Sequence, residues 1–289
     1  MKNIATLLLA GLLLLLTPTS GKPQITPKKI PVLCFVTFDP AKSPRFAAFY
    51  KGLEDLGYVE GQNIDILYLS ADNNGGRYPA LIEECLNRKP DVIATTTTPA
   101  ARLLKQTTKN IPIVMVALGD PIGSGGVDSL ARPSENITGM SLMVPQMAVK
   151  QLEIVRELVP GIKHVSILSF LADPIAPLQI KAMQEAAQQM GLTLHVQDIK
   201  TPEDIPIAFA AARNQGAQGA IVTAESMFIV HRAKLSQEAA EHKIPVVYPF
   251  LLPVTDAGGL MAYAVKASDL HRQAAVYVDR ILRAIVEFW

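Results

Sequence analysis

Asp91-Val-Ile-Ala-Thr95 and Ile113-Val-Met-Val-Ala117 each set β-branched and aliphatic residues side by side with no polar alternation, then stop in small, hydroxylated or turn-forming residues. Such a run reads as a strand covered on both faces. Further strands are predicted at 30–38, 64–69, 137–143, 164–169, 193–197, 217–223, 246–248 and 260–264. Helical patterns fall between them at 44–56, 78–87, 99–108, 147–158, 177–190, 206–214, 231–242 and 267–288. Strand, helix, strand units in series require parallel pairing, because each crossover helix covers a face of the sheet. The expected class is therefore α/β. Val144-Pro145 interrupts the alternation midway and the pattern then restarts, so two similar lobes, each a parallel sheet flanked by helices, are expected in place of one large sheet.

The amino terminus bears on the compartment. Met1-Lys2-Asn3 is a short positive start, Ile4 to Leu16 is apolar but short for a membrane span, and Thr17-Pro-Thr-Ser-Gly21 breaks it. Residues 1–21 read as a secretory signal peptide, with an uncleaved tether as the alternative, and 22–29 as a flexible lead-in. A periplasmic or other extracytoplasmic location follows. Hydrophobic residues make up 49% of the chain, ample for a core, and the formal net charge of +1 is spread without runs, which removes the electrostatic case for nucleic acid. Export would permit a disulfide between Cys34, in a predicted strand, and Cys85, in a predicted helix. Two buried free thiols are the expectation, since a strand interior and a helix face rarely meet the geometry of a bridge.

No nucleophile elbow, Walker lysine or zinc-binding helix occurs, and the five histidines have no ligand spacing, so no catalytic set, metal or cofactor is expected. Open parallel sheets bind ligands at the carboxyl ends of their strands. Thr96, Thr97 and Thr98 stand there ahead of Pro99, at the first turn of a helix, where hydroxyls and free backbone N–H groups suit an anionic or polar group. Helix capping is the plainer role for any one of them. Asp39, Asp120, Asp173 and Glu225 also follow strands, in both halves, which suggests a shared cleft. Phe38, Phe170, Phe250 and Tyr263 fall near strand ends too and would give that cleft an apolar or aromatic character, although core packing would explain several of them.

Ser43-Pro-Arg-Phe, the run from Gly52 to Asn63, Thr98-Pro-Ala-Ala101, Gly119-Asp-Pro121, Asn136-Ile-Thr-Gly139, Ala257-Gly-Gly-Leu-Met261 and Tyr277-Val-Asp-Arg-Ile-Leu282, in this order, resemble the substrate-binding proteins of ABC transporters, of the type that takes up tryptophan and related aromatic amino acids. The resemblance implies the type I periplasmic binding protein fold: lobe 1 from 30–143 with 265–289, lobe 2 from 144–264, and a three-segment hinge crossing near 141–145, 247–249 and 263–266. It implies ligand loops at Thr37 to Ser43, including Phe38 and Asp39, at Thr96 to Thr98, at Gly119-Asp120, at Phe170 to Pro174, and at Glu225-Ser226. Phe170-Leu171 stands where the family has Asn-Pro, Glu225 where it has aspartate, and Leu251-Leu252 where it has a charged pair, which turns the expected ligand toward a small apolar or aromatic molecule. The implied partner is an ABC permease of the inner membrane, with the binding protein monomeric. A periplasmic sensor feeding a receptor is the first alternative, and an exported enzyme using Asp120 or Glu225 as general base the second. The family continues past Leu282 with a segment that returns to lobe 1, whereas this sequence reads Arg283 to Trp289 and stops, so uncovered surface on that lobe is expected.

Overall fold

The computed structural model describes residues 29–287 apart from 41, 126 and 130–135. The signal-peptide reading, most of the lead-in, and Phe288 and Trp289 lie outside these residues.

Two five-stranded sheets are present among the described residues, and every strand pair in them is parallel. The first has the order β2-β1-β3-β4-β5, from Val32–Thr37 (β1), Asp65–Ser70 (β2), Val92–Thr95 (β3), Ile113–Leu118 (β4) and Ile137–Ser141 (β5). The second has the order β10-β9-β8-β6-β7, from His164–Ser169 (β6), Thr193–Asp198 (β7), Gly219–Val222 (β8), Val246–Tyr248 (β9) and Met261–Ala262 (β10). Central strands are apolar on both faces because helices cover both. Leu33 and Phe35 of β1 face Phe49, Ala275 and Val278 on one side, while Cys34 and Val36 face Ile82 and Leu104 on the other.

Helices Ala47–Asp55 (α1), Tyr78–Asn87 (α2) and Thr98–Thr107 (α3) connect the strands of the first sheet. Val144–Leu158 (α4), Ala176–Met190 (α5), Asp204–Asn214 (α6), Ser226–Val230 (α7), Arg232–Glu241 (α8) and Leu252–Ala257 (α9) belong to the second. Ala267–Glu287 (α10) then returns to the first sheet, burying Ala274, Ala275, Val278 and Leu282 against α1 and the β1–β3–β4 face. The pattern puts an apolar residue on that face every third or fourth position.

Several expectations need correction. Val144-Pro145 does not interrupt the alternation of strand and helix; it forms the first turn of α4, between β5 and β6, where a proline without an N–H costs nothing. The expected helix over 231–242 is α8, while α7 ahead of it and α9 were not foreseen. The middle hinge crossing, near 247–249, is not a passage between sheets: β9 pairs with β8 and β10, and α9 and β10 follow it in the same sheet's territory. Between the sheets the chain passes after β5 and after β10. Cys34 and Cys85 are joined in a disulfide, with Cα atoms 6.1 Å apart and no free thiol among the described residues. The free-thiol expectation failed because α2 lies directly on β1 with both cysteines on the shared, fully buried surface, at ordinary bridging distance.

Candidate functional site

The carboxyl ends of the two sheets face each other, and Phe38 marks the place: it packs against the core of the first lobe and also against that of the second. Around it the first lobe supplies polar groups from the ends of β1 and β3. Thr96 Oγ1 donates to Thr37 Oγ1 at 3.0 Å, and the Thr37 hydroxyl accepts from the Asp39 N–H at 3.3 Å. Asp39 is buried and takes its counter-charge from Arg45, Nη1 to Oδ2 3.1 Å. The Arg45 guanidinium lies 5.2 Å from the Phe46 ring and 5.8 Å from that of Phe250, a residue of the other lobe. Thr97 Oγ1 is 2.9 Å from the Tyr78 hydroxyl, while Thr98 opens α3 with Pro99 behind it and Thr97 makes no side-chain capping bond. The α3 start therefore has N–H groups without a side-chain cap beside buried hydroxyls.

The remaining first-lobe loop follows β4. Ala117 adopts a left-handed φ of 59°, the β4–β5 register shifts there, and the chain is turned toward the second lobe. At Gly119 a Cβ would stand 2.9 Å from Ile175 and 3.3 Å from Val144, so glycine is what allows this approach. Asp120 is used by its own turn: Oδ1 accepts from the N–H groups of Ile122 and Gly123 at 3.1 and 2.9 Å.

The second lobe presents acids and aromatics. Asp173, in the turn between β6 and α5, accepts from the Ile175 N–H at 3.0 Å, and burial lifts its carboxyl to about 6. Glu225, 1% exposed after β8, accepts from Gln179 Nε2 at 3.0 Å and contacts the Thr223 hydroxyl. Burial first, then the charge of Asp173, pushes the Glu225 carboxyl up to about 8, against the pull of Thr223 and of the backbone N–H groups of Glu225 and Phe170. Asp173 also acts across the cleft on the Tyr78 phenol, which is raised chiefly by burial. Phe170 and Phe250 are half-buried, Ser226 begins the short α7, and Ser43 precedes the turn Pro44–Phe46 without a side-chain capping bond.

Thus Thr37, Phe38, Asp39, Thr96, Thr97, Thr98, Gly119, Phe170, Asp173, Glu225 and Phe250 converge on the facing ends of the sheets. Tyr263 differs: it is 42% exposed, and its recorded hydrogen bonds are made by its backbone, the carbonyl accepting from Gln151 Nε2 at 2.9 Å and the N–H donating to the Tyr248 carbonyl at 3.0 Å. Arg45, Tyr78 and Gln179 belong to the same constellation and escaped the sequence reading. Arg45 carried a signal, one cation six residues after an acid at a strand end, while Tyr78 and Gln179 looked like ordinary helix positions. Two surface hollows lie elsewhere, one of about 310 Å³ between α2 and α3 lined by Pro79, Ile82, Leu86 and Leu103, the other of about 260 Å³ beside α1 and β2. Both sit on the outer face of the first lobe.

Facing parallel sheets with polar loops at their carboxyl ends form a cleft for one small molecule. Residues 29–286 match the family of ABC transporter substrate binding proteins. This chain belongs to that family. It is a binding family, so the enzyme alternative falls away. A tyrosine-binding protein of Clostridioides difficile is 28% identical over 200 residues, 69% of this chain and 57% of that protein. Among solved structures, a domain of Streptococcus pneumoniae in complex with L-Trp is 21% identical with a TM-score of 0.78, covering 88% of this chain and 85% of that one. A conserved domain protein of Vibrio cholerae is 24% identical with a TM-score of 0.81, covering 88% and 86%. The shared fold is that of the type I periplasmic binding proteins, as the two parallel sheets imply. No helix among the described residues is long and apolar enough to cross a membrane.

Proposed function

We propose that this family member is the extracytoplasmic solute-binding component of an ABC importer and holds a small aromatic or apolar molecule, an aromatic amino acid foremost, between its lobes. The observation that carries the reading is the double lining of the cleft. Phe38, Phe170 and Phe250 offer aromatic surface from both lobes, and Thr96 to Thr98 at the α3 start offer N–H and hydroxyl groups suited to a carboxylate. The names of the Clostridioides difficile and Streptococcus relatives, a tyrosine-binding protein and an L-Trp complex, support an aromatic amino acid. The hinge consists of the passages after β5 and after β10. Binding works by closure, because a ligand that touches both lobes has a higher affinity for the closed state and draws the population to it. The closed form is then what a permease in the inner membrane recognises, with the binding protein acting as a monomer in the periplasm.

The test is mass spectrometry of small molecules released from the denatured purified protein, followed by thermal-shift titration with L-tyrosine, L-tryptophan and aromatic acids. A ligand at a hundredfold above its dissociation constant adds about 2.7 kcal/mol to stability. A folded protein that releases nothing and is stabilised by no member of a broad aromatic and amino-acid library would sink the proposal.

A further inference from the structure

Two side chains of the first lobe touch the second lobe directly. Phe38, just after β1, packs against the first-lobe cluster that contains Val36 and Tyr78 and also against the second-lobe cluster that contains Phe228 and Tyr248. Arg45, in the turn Pro44–Phe46, sets its guanidinium 5.8 Å from the ring of Phe250, which follows β9. That distance lies within the roughly 6 Å over which a cation and a ring face attract. Both residues are held from behind by their own lobe. The Phe38 carbonyl accepts from the Asn73 N–H at 2.9 Å, and the neighbouring Asp39 carbonyl accepts from the Ser70 hydroxyl at 2.7 Å. Arg45 Nη1 donates to both carboxylate oxygens of Asp39, at 3.4 and 3.1 Å. Phe46, the next residue, is buried in the first-lobe core, its ring 5.4 Å from that of His271. The base thus stays with the first lobe, so parting the lobes breaks the seat of Phe38 and the Arg45–Phe250 contact instead of carrying them along. Core packing alone would keep Phe38 within one lobe, and charge balance for Asp39 alone would not bring the guanidinium to a ring of the other.

We propose that Phe38 and Arg45 form a latch that holds the lobes closed through contacts of the chain with itself, so that the protein populates the closed form before a ligand arrives. A closing contact that needs no ligand shifts the balance of open and closed forms in the ligand-free protein as well as in the complex. The two halves differ in strength. Opening returns the apolar surface of Phe38 to water, whereas Arg45 exchanges a ring face for hydration and keeps its ion pair with Asp39, so Phe38 is the stronger half. The consequence for uptake rests on the transport reading above: a ligand enters through the open form, and the latch lowers the fraction of protein ready to receive it.

Small-angle X-ray scattering tests the latch on protein freed of small molecules by unfolding in urea and refolding. Phe38→Ala should raise the radius of gyration above that of wild type, and Phe250→Ala, which removes the ring from the opposite lobe, should raise it by less. Far-UV circular dichroism of each variant should match wild type, which separates opening from unfolding. Should Phe38→Ala fail to fold, Phe250→Ala and Phe250→Leu carry the test, since both remove the ring that faces Arg45 and the leucine keeps apolar bulk; both should expand. Folded variants with the wild-type radius overturn the proposal. The measurement needs no ligand, so failure of L-tyrosine, L-tryptophan and the rest of the screen above would remove the transport reading and leave these radii to decide the latch.

Discussion

The two walls of the cleft solve the same electrostatic problem in opposite ways. On the first lobe, buried Asp39 has a guanidinium beside it and the Thr37 hydroxyl donating to it, with Thr96 donating in turn to Thr37, so its charge is balanced within the wall. On the second, Asp173 and Glu225 have hydroxyl, amide and backbone donors but no recorded ion pair among the described residues, and burial raises both. A balanced wall holds its counter-charge within itself. An unbalanced one raises the carboxyls it buries. The first lobe is also cross-linked by Cys34–Cys85, whereas no disulfide occurs in the second.

The largest expected effect comes from that cross-link. Cys34→Ser, which opens a bridge between residues 51 positions apart, should lower stability by about 4 kcal/mol by the loop-entropy relation, measured by urea unfolding. The second lobe, lacking such a staple, should unfold first in the oxidised protein, and reduction should narrow or abolish that order; hydrogen exchange that opens the first lobe earlier in the oxidised protein would break the comparison.

Next is Arg45→Ala, which strands Asp39 beneath a side-chain exposure of 5%. Removal of one member of a buried pair costs about 3 kcal/mol. An unchanged urea midpoint would mean that Asp39 never needed its partner and that the two walls are alike.

Gly119→Ala probes the seam between the lobes. Its Cβ would press on Ile175 and Val144, at a cost of about 1–3 kcal/mol if the packing is held, or less if the lobes move apart. Small-angle scattering should then show a larger radius of gyration than wild type, and equal radii with equal stability would show that this approach is not tight.

The pH responses should differ in sign. His271, on α10 of the first lobe, is held neutral with its pKa down at about 4, by burial first and the Arg45 charge second. A group depressed on folding destabilises as pH falls from its ordinary value toward the folded one, so the first lobe loses stability from about pH 6.5 toward 4. Glu225 is raised to about 8, so the unfolded chain releases a proton that the fold keeps, and stability falls as pH rises from its ordinary 4.5 toward 8. Unfolding midpoints against pH should show the acid-side loss diminished in His271→Gln and the alkaline-side loss diminished in Glu225→Gln. The same limb moving in both variants would contradict the assignment.

The smallest effect is expected from Asp120→Ala, which removes only the acceptor for two N–H groups of its own turn, at about 1 kcal/mol. A loss of several kcal/mol would show that this acid does more than cap.

The sequence by itself determined the architecture. Apolar runs at β1, β3, β4, β6 and β8 need helices on both faces, and that requirement is local enough to read from residue type and period. It also determined which loops face one another, because parallel strands send all their carboxyl ends to one edge; Thr96 to Thr98, Asp39, Asp173 and Glu225 were legible on that ground alone. Tertiary structure decided what each of those groups is. How an acid is partnered depends on what lies within a few ångströms through space, and the position of Asp39 or Glu225 at a strand end does not by itself say that Arg45 meets the first and Gln179 the second. The disulfide and the place of β9 within the second sheet escaped for the same reason: they depend on how α2 sits on β1 and how β9 pairs with its neighbours, distances that residue order does not carry.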